Sequence, residues 1–251
     1  LISGGGTGGH IFPAIAIANE IKRRRPDANI LFVGAENKME MEKVPKAGYR
    51  IEGLWISGFH RGLDMRNLSF PFKLIASYFK AGSIVKSFKP DVAIGTGGFA
   101  SGPSLNAAMR YGVPAIIQEQ NSFPGVTNKI LSRKAKTVCV AYDGMDKFFP
   151  KEKVVKTGNP VRQNIVLCNV KPEKARKDFD LDLDSKILLI VGGSLGSRTL
   201  NNCLMGGLDY FKEQKIQVIW QTGTLMFESC KQAAKGYDNV KVFDFISNID
   251  H

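Results

Sequence analysis

Four cysteines in 251 residues, Cys139, Cys168, Cys203 and Cys230, lie 29, 35 and 27 positions apart. No Cys-x-x-Cys pair frames a zinc site, a redox motif or a disulfide scaffold, and a reducing compartment fits that usage. A long stretch free of charge, 92–109, is broken by Gly95, Gly97, Gly98, Gly102 and Pro103. A membrane-spanning helix of about 20 apolar residues does not carry such breaks. No collagen-like period or low-complexity tract occurs, which excludes fibrous and disordered classes. Recognition-helix motifs and aromatic-rich basic strands are also missing, so no nucleic-acid partner is expected.

The length and the 43% hydrophobic content suit one large domain or two of ordinary size. Glycine fills 26 positions, above the usual ~7%, and the excess belongs to particular loops. Charge is uneven. Residues 1–160 hold 23 Lys and Arg against 12 Asp and Glu, so nearly all of the net +12 sits there. An anionic partner follows, and composition alone fits nucleic acid, an acidic membrane surface or a phosphorylated substrate. The runs Lys22 to Arg25 and Arg133 to Lys136 fall near the ends of predicted helices, where cations complement the helix dipole.

Along the chain a strand, a glycine-rich turn and a helix recur. Strands are predicted at 1–3, 30–34, 91–96, 114–118, 137–141, 186–192, 216–220 and 240–245. They are short, β-branched and mostly without polar alternation, as in parallel strands buried on both faces. A helix over 11–24 places Ile11, Ile15, Ala18 and Ile21 on one face. The architecture is α/β with a doubly wound sheet. A polar, lysine-rich stretch follows 141, and a new apolar strand begins at Ile187, which puts a boundary at the Gly158-Asn159-Pro160 turn. Domains of 1–160 and 161–251 result. Leu1 in place of methionine and a stop just after a strand lead us to expect a trimmed start and an incomplete second domain.

Three glycine loops carry the chemistry: GGGTGGH at 4–10, GTGGFASGP at 95–103 and GGSLGSR at 192–198. Glycine lets a backbone approach phosphate or sugar closely, and the first amides of a helix attract anions. Gly4, Gly6 and Gly9 with Glu36 also satisfy a dinucleotide fingerprint, so a nicotinamide-dependent oxidoreductase is the alternative. Three loops suit a cleft between two domains that takes two phosphate-bearing molecules. His10 ends the first loop and is the candidate acid or base. His60 and His251 have no such setting. Ser194 in the third loop fits either a diphosphate contact or an ordinary helix cap. Arg162 fits a phosphate clamp or a plain surface cation. The run Gln118 to Asn121 places four hydrogen-bonding side chains at the carboxyl end of a buried strand, where ligands of such sheets bind.

A helix from about Pro71 would bury Leu74, Tyr78, Ala81 and Val85 on one stripe. Leu68, Phe72, Ile75 and Phe79 then form a second apolar surface, flanked by Lys73, Lys80, Arg61 and Arg66. That surface suits anionic phospholipid, or a cover of protein.

In this order and spacing, GGGTGGH followed by Pro13, GTGGFASGP, QEQN, GNPVR and GGSLGSR closely resemble the MurG family of bacterial cell-wall glycosyltransferases, over essentially the whole chain. The resemblance implies a GT-B fold, two Rossmann-like domains with parallel sheets facing a cleft. It implies an inverting transfer of N-acetylglucosamine from UDP-N-acetylglucosamine to the C4 hydroxyl of the muramyl sugar of lipid I, giving lipid II. It also implies a peripheral place on the cytoplasmic face of the inner membrane. By motif, Thr7, Gly8, Gly9 and Asn121 would meet the donor sugar, Arg162 and Ser194 its diphosphate, and the Ile246 backbone the uracil. His10 would be the general base, and Gly97 and Gly98 would help cradle the acceptor diphosphate. The membrane patch would be Leu68, Phe72, Ile75 and Phe79. No cofactor and no metal are assigned, and no Asp-x-Asp motif for a metal is expected. The family's ribose-gripping acidic residue and paired glutamines have no counterpart up to residue 251, so weak UDP binding is expected of the chain as it stands.

Overall fold

A computed structural model describes residues 1–58, 69–166, 168–193, 195–246 and 249, with the side chain of Asn164 left aside. The chain divides into two compact units, Leu1–Gln163 and Asn164–His251.

The first unit is built on strands β1 (Ile2–Gly4), β2 (Leu31–Ala35), β3 (Arg50–Leu54), β4 (Ala93–Gly97), β5 (Ala115–Glu119), β6 (Thr137–Val140) and β7 (Val154–Lys156). Its helices are α1 (Gly8–Arg24), α2 (Glu40–Lys46), α3 (Phe70–Phe88), α4 (Ser101–Arg110) and α5 (Val126–Ser132). All seven strands are parallel, in the order β3-β2-β1-β4-β5-β6-β7. The chain first builds outward from β1 to β3 and then restarts at β4 on the other side of β1. Neighbouring β1 and β4 therefore form the switch point, the usual place for a ligand crevice in open α/β sheets.

The central strands read as apolar runs because both their faces are covered. Ile2, Phe32 and Ile94 pack with Ile11, Ala14, Ile15 and Ala18 of α1 on one side. Leu31, Val33, Ala93 and Ile117 pack with Ala81, Val85, Leu105 and Ala108 of α3 and α4 on the other. Two strands, β3 and β7, were not predicted. Both are edges, and they carry Arg50, Glu52 and Lys156 where the interior strands are mostly apolar, so their hydropathy does not announce them.

Helix α3 corrects one expected stripe. Ser77, Ala81 and Val85 face the core with Leu74 against it, and Tyr78 is only half-buried. Ser77 is tolerated there because its hydroxyl donates to the Trp55 carbonyl at 3.0 Å. The second face is open: Phe72, Ile75 and Phe79 are 69%, 56% and 77% exposed. Lys73 lies near the Trp55 ring, and Lys80 pairs with Glu36 at 3.2 Å. Leu68, Arg61, Arg66 and His60 lie outside the described residues. Among the described residues no helix is long and apolar enough to cross a membrane.

The second unit follows through α6 (Gln163–Val166), which straddles the boundary, and α7 (Pro172–Asp178). It then forms β8 (Lys186–Val191), α8 (Arg198–Met205), α9 (Leu208–Glu213), β9 (Ile216–Gln221), α10 (Phe227–Ala233) and β10 (Val240–Phe243). The three strands are parallel in the order β10-β9-β8. Val218, Trp220 and Val240 pack on Leu204, Leu208 and Cys230. Burial of β8 on both faces was expected, yet Leu188, Leu189 and Val191 of this edge strand are partly exposed.

Candidate functional site

The first two glycine loops leave neighbouring strands at the switch point and are built into each other. Gly4 pairs with Gly97 through a local register shift, and the Gly5 amide donates to the Gly97 carbonyl at 3.2 Å. Gly98 has φ +87°, and a Cβ there would lie 2.2 Å from the Gly5 carbonyl oxygen. Only glycine permits that approach. Helix α1 starts inside the first loop, at Gly8, three residues earlier than expected. Thr7 caps it in extended conformation without using its hydroxyl, while the His10 and Ile11 amides fold back onto the Thr7 carbonyl at 3.1 and 3.2 Å. The first amides of a helix have no intrahelical acceptor, so Gly8 and Gly9 offer N–H groups at a positively polarised end.

His10 lies in that first turn, half-buried, with its ring over Gly97, where an added Cβ would come within 2.9 Å of it. Its Nδ1 is 2.9 Å from the Thr96 carbonyl, and the Thr96 hydroxyl donates back to the His10 carbonyl at 2.8 Å. A carbonyl oxygen only accepts, so Nδ1 carries the hydrogen and the neutral ring keeps its lone pair on Nε2. Nε2 is thereby left free of that hydrogen. Gln120 donates to the same Thr96 carbonyl at 2.7 Å.

Glu40 was not singled out from sequence. It is fully buried beneath the first loop and accepts from the Gly6 amide at 3.1 and 3.0 Å and from the Ala35 amide at 3.0 Å. Its carboxylate fills the space beside Gly5, where a Cβ would lie 2.0 Å from it. In a dinucleotide site loop amides turn to the pyrophosphate. Here an internal carboxylate takes the Gly6 amide, and Glu36 is tied to Lys80. This is the physical objection to the nicotinamide alternative.

At the end of β5 the four polar side chains do not all face outward. Glu119 is 1% exposed and turns inward, accepting from Asn121, Gly125 and Asn128. Asn121 is exposed. Gln118 donates to Asn159 at 3.4 Å, and Asn159 donates to the Gln120 carbonyl at 3.3 Å, which ties the Gly158-Asn159-Pro160 turn to this edge. Among the described residues, the side-chain oxygens of Gln118, Gln120 and Asn128 are buried acceptors without a protein donor. Arg162 belongs to this unit, with its guanidinium 5.1 Å from the Phe12 ring centre. Phe12 packs beside Gly8, so the cation is held near the first loop.

In the second unit, the third loop closes on the turn after β9, because a Cβ on Gly196 would lie 1.9 Å from the Thr222 carbonyl oxygen. Ser194 lies outside the described residues, as does His251. The helix cap is Ser197, which accepts from the Leu200 amide at 3.4 Å. Ile246 is buried, and its amide donates to the Gln221 side chain at 3.0 Å, so that amide is already engaged. Gln221, missed in the sequence, also donates to the Gly193 carbonyl at 3.1 Å and so links the third loop to Ile246.

Contrary to expectation, an Asp-x-Asp spacing does occur, at Asp178, Asp180, Asp182 and Asp184. These residues end α7 and lead into β8. Asp180 pairs with Lys241 at 2.7 Å, which holds its carboxyl below the usual range, and Asp182 accepts from Gln217 at 2.8 Å. Among the described residues no group of three or more metal-ligating side chains comes together.

Comparison with known proteins gives a consistent result. Residues 1–140 match the glycosyltransferase family 28 N-terminal domain, and 187–251 match the C-terminal domain of that family. The UDP-N-acetylglucosamine--N-acetylmuramyl-(pentapeptide) pyrophosphoryl-undecaprenol N-acetylglucosamine transferase of Flavobacterium psychrophilum is 53% identical over 250 residues, 100% of this chain and 68% of its own length. The enzyme of the same name from Cytophaga hutchinsonii is 56% identical over 250 residues, 100% of this chain and 67% of its own. The chain thus spans about two thirds of these relatives. The crystal structure of Acinetobacter baumannii MurG superposes with a TM-score of 0.67 at 29% identity, covering 98% of this chain and 68% of that one. A UDP-GlcNAc 2-epimerase from Neisseria meningitidis bound to UDP-GlcNAc, 12% identical, reaches 0.67 over 99% of this chain and 73% of its own, a likeness of fold.

Proposed function

The chain belongs to glycosyltransferase family 28, and from that premise we propose that it carries the machinery for moving N-acetylglucosamine from UDP-N-acetylglucosamine to lipid I, forming lipid II. Family membership makes it a hexosyltransferase that depends on a UDP-sugar. The acceptor is the C4 hydroxyl of the muramyl sugar, and the reaction inverts the anomeric centre. The hydroxyl oxygen bonds to the anomeric carbon, its proton passes to Nε2 of His10, and the bond to UDP breaks on the opposite face. Thr7, Gly8, Gly9 and Asn121 hold the donor sugar. Arg162 and Ser194 stabilise the departing diphosphate, helped by loop amides, and the Ile246 backbone meets the uracil through its carbonyl, its amide being bound to Gln221. Gly97 and Gly98, with the first loop, take the acceptor diphosphate.

The enzyme works at the cytoplasmic face of the membrane as a peripheral protein, docked on anionic phospholipid through Leu68, Phe72, Ile75 and Phe79. Three exposed apolar side chains on one helix face support that placement.

The observation that carries the reading is the fixed tautomer of His10 beside two interlocked glycine loops. The test is transfer of radiolabelled N-acetylglucosamine from its UDP donor to a lipid I analogue. His10→Ala is expected to lower kcat by about 100-fold or more with the fold intact. A kcat within a few-fold of the unaltered enzyme would remove His10 as the base, and transfer to other acceptors only would remove the lipid I assignment.

A further inference from the structure

We propose that Glu119 is a positioning residue for the donor sugar, acting by fixing which way the Asn121 amide faces. The inference rests on the reading of Asn121 as a donor-sugar contact.

Glu119 ends β5 inside the protein, and no lysine or arginine pairs with it among the described residues. Its two oxygens are instead filled symmetrically by neutral N–H groups. Oε1 accepts from the Asn121 amide at 3.0 Å and from Asn121 Nδ2 at 2.9 Å. Oε2 accepts from the Gly125 amide at 3.2 Å and from Asn128 Nδ2 at 2.9 Å. A buried carboxyl group with this ring of donors is stable only while each donor keeps its place.

The consequence falls on Asn121. An asparagine amide has two ends of equal size, and at an exposed position it would normally be free to turn over. The carboxylate oxygen accepts only, so the end that meets Glu119 must be Nδ2. Oδ1 and the second N–H are then turned away from the interior in a fixed order. A neighbouring acceptor and donor held in that order can match a sugar hydroxyl without first losing rotamer freedom. Asn128, on α5, and the Gly125 turn hold the carboxylate from its other side, so the orientation is set by the whole turn after β5.

The test measures KM for UDP-N-acetylglucosamine and for the lipid I analogue, kcat and the melting midpoint in the intact enzyme, for N121A, E119Q, N121D and the double variant E119Q/N121D. We expect N121A and E119Q each to raise donor KM by about tenfold, the scale of one lost hydrogen bond. Acceptor KM should stay near that of the unaltered enzyme, while E119Q lowers the melting midpoint, because its amide N–H is set against donors that the carboxylate accepted from. N121D sets two carboxylates against each other and should raise donor KM beyond N121A. Adding E119Q restores a donor opposite the new carboxylate and should recover much of that loss, a coupling that independent sites do not show.

If N121A raises donor KM and E119Q does not, positioning by Glu119 is overturned and the Asn121 contact stands. If N121A leaves donor KM unchanged, the Asn121 reading itself fails. An E119Q variant that loses kcat and melting midpoint together at unchanged donor KM would reduce Glu119 to a structural post and overturn the proposal. Should E119Q not fold, N121D against N121A decides, because equal donor KM values for the two mean that no opposing carboxylate is felt.

Discussion

Gly98 and Gly112 share a left-handed backbone, with φ +87° and +78°, yet differ in what surrounds them. A Cβ at Gly112 meets open space, whereas one at Gly98 meets the Gly5 carbonyl oxygen. Gly112→Ala should therefore cost only conformational strain, about 1–2 kcal/mol. Gly98→Ala adds a collision with backbone that cannot rotate away, for a total of about 3 kcal/mol. Urea unfolding of the two variants checks the ordering, and Gly98→Ala should also lower transfer by parting the two loops, while Gly112→Ala should not. The same logic explains Gly97, whose missing side chain is the room into which the His10 ring packs. Glycines here serve close approach more than flexibility.

Helix α3 has two apolar faces with different fates. The inner one reaches the sheet through Ala81 and Val85, and the outer one leaves Phe72, Ile75 and Phe79 open. Apolar groups in water beside cations suit the headgroup boundary of an anionic bilayer. Phe72→Asp with Ile75→Asp should lower co-sedimentation with anionic vesicles by about tenfold or more, because it removes two apolar groups that would insert into the bilayer and adds two like charges. The melting midpoint should hardly move, since neither side chain contacts the core. Vesicle binding unchanged by this pair would put the docking surface elsewhere. Helix α1 ends with Glu20 bound to Arg23 and Arg24 at 2.8 and 2.6 Å, so its basic run is partly neutralised and serves the helix end.

For the molecule as a whole, the first unit closes a core on both faces of its sheet within Leu1–Gln163. Residues 1–163 expressed alone should therefore unfold in a single cooperative transition, followed by circular dichroism on heating. A broad, featureless loss of signal would show that the unit relies on the rest of the chain. That unit also carries nearly all of the net positive charge. Its binding to anionic vesicles should weaken as salt rises toward about 1 M, where the Debye length falls to about 3 Å, leaving the apolar contribution of α3.

The sequence by itself determined the α/β class, the interior strands, the three glycine loops and the family. Those features are written locally, in apolar runs covered on both faces and in glycines where no side chain fits. It did not reveal β3 and β7, because edge strands carry charge on their open side and lose the apolar run. Nor did it separate the roles of neighbouring residues. Glu119 and Asn121 read alike as polar groups at a strand end, and only the turn to Gly125 and Asn128 buries one and presents the other. Glu40 and Thr96 gave no signal either, because their work is to hold Gly6 and His10, residues 34 and 86 positions away. A hydrogen bond between distant segments exists only once the sheet has set their strands side by side, so the tautomer of His10 was a decision of the tertiary structure.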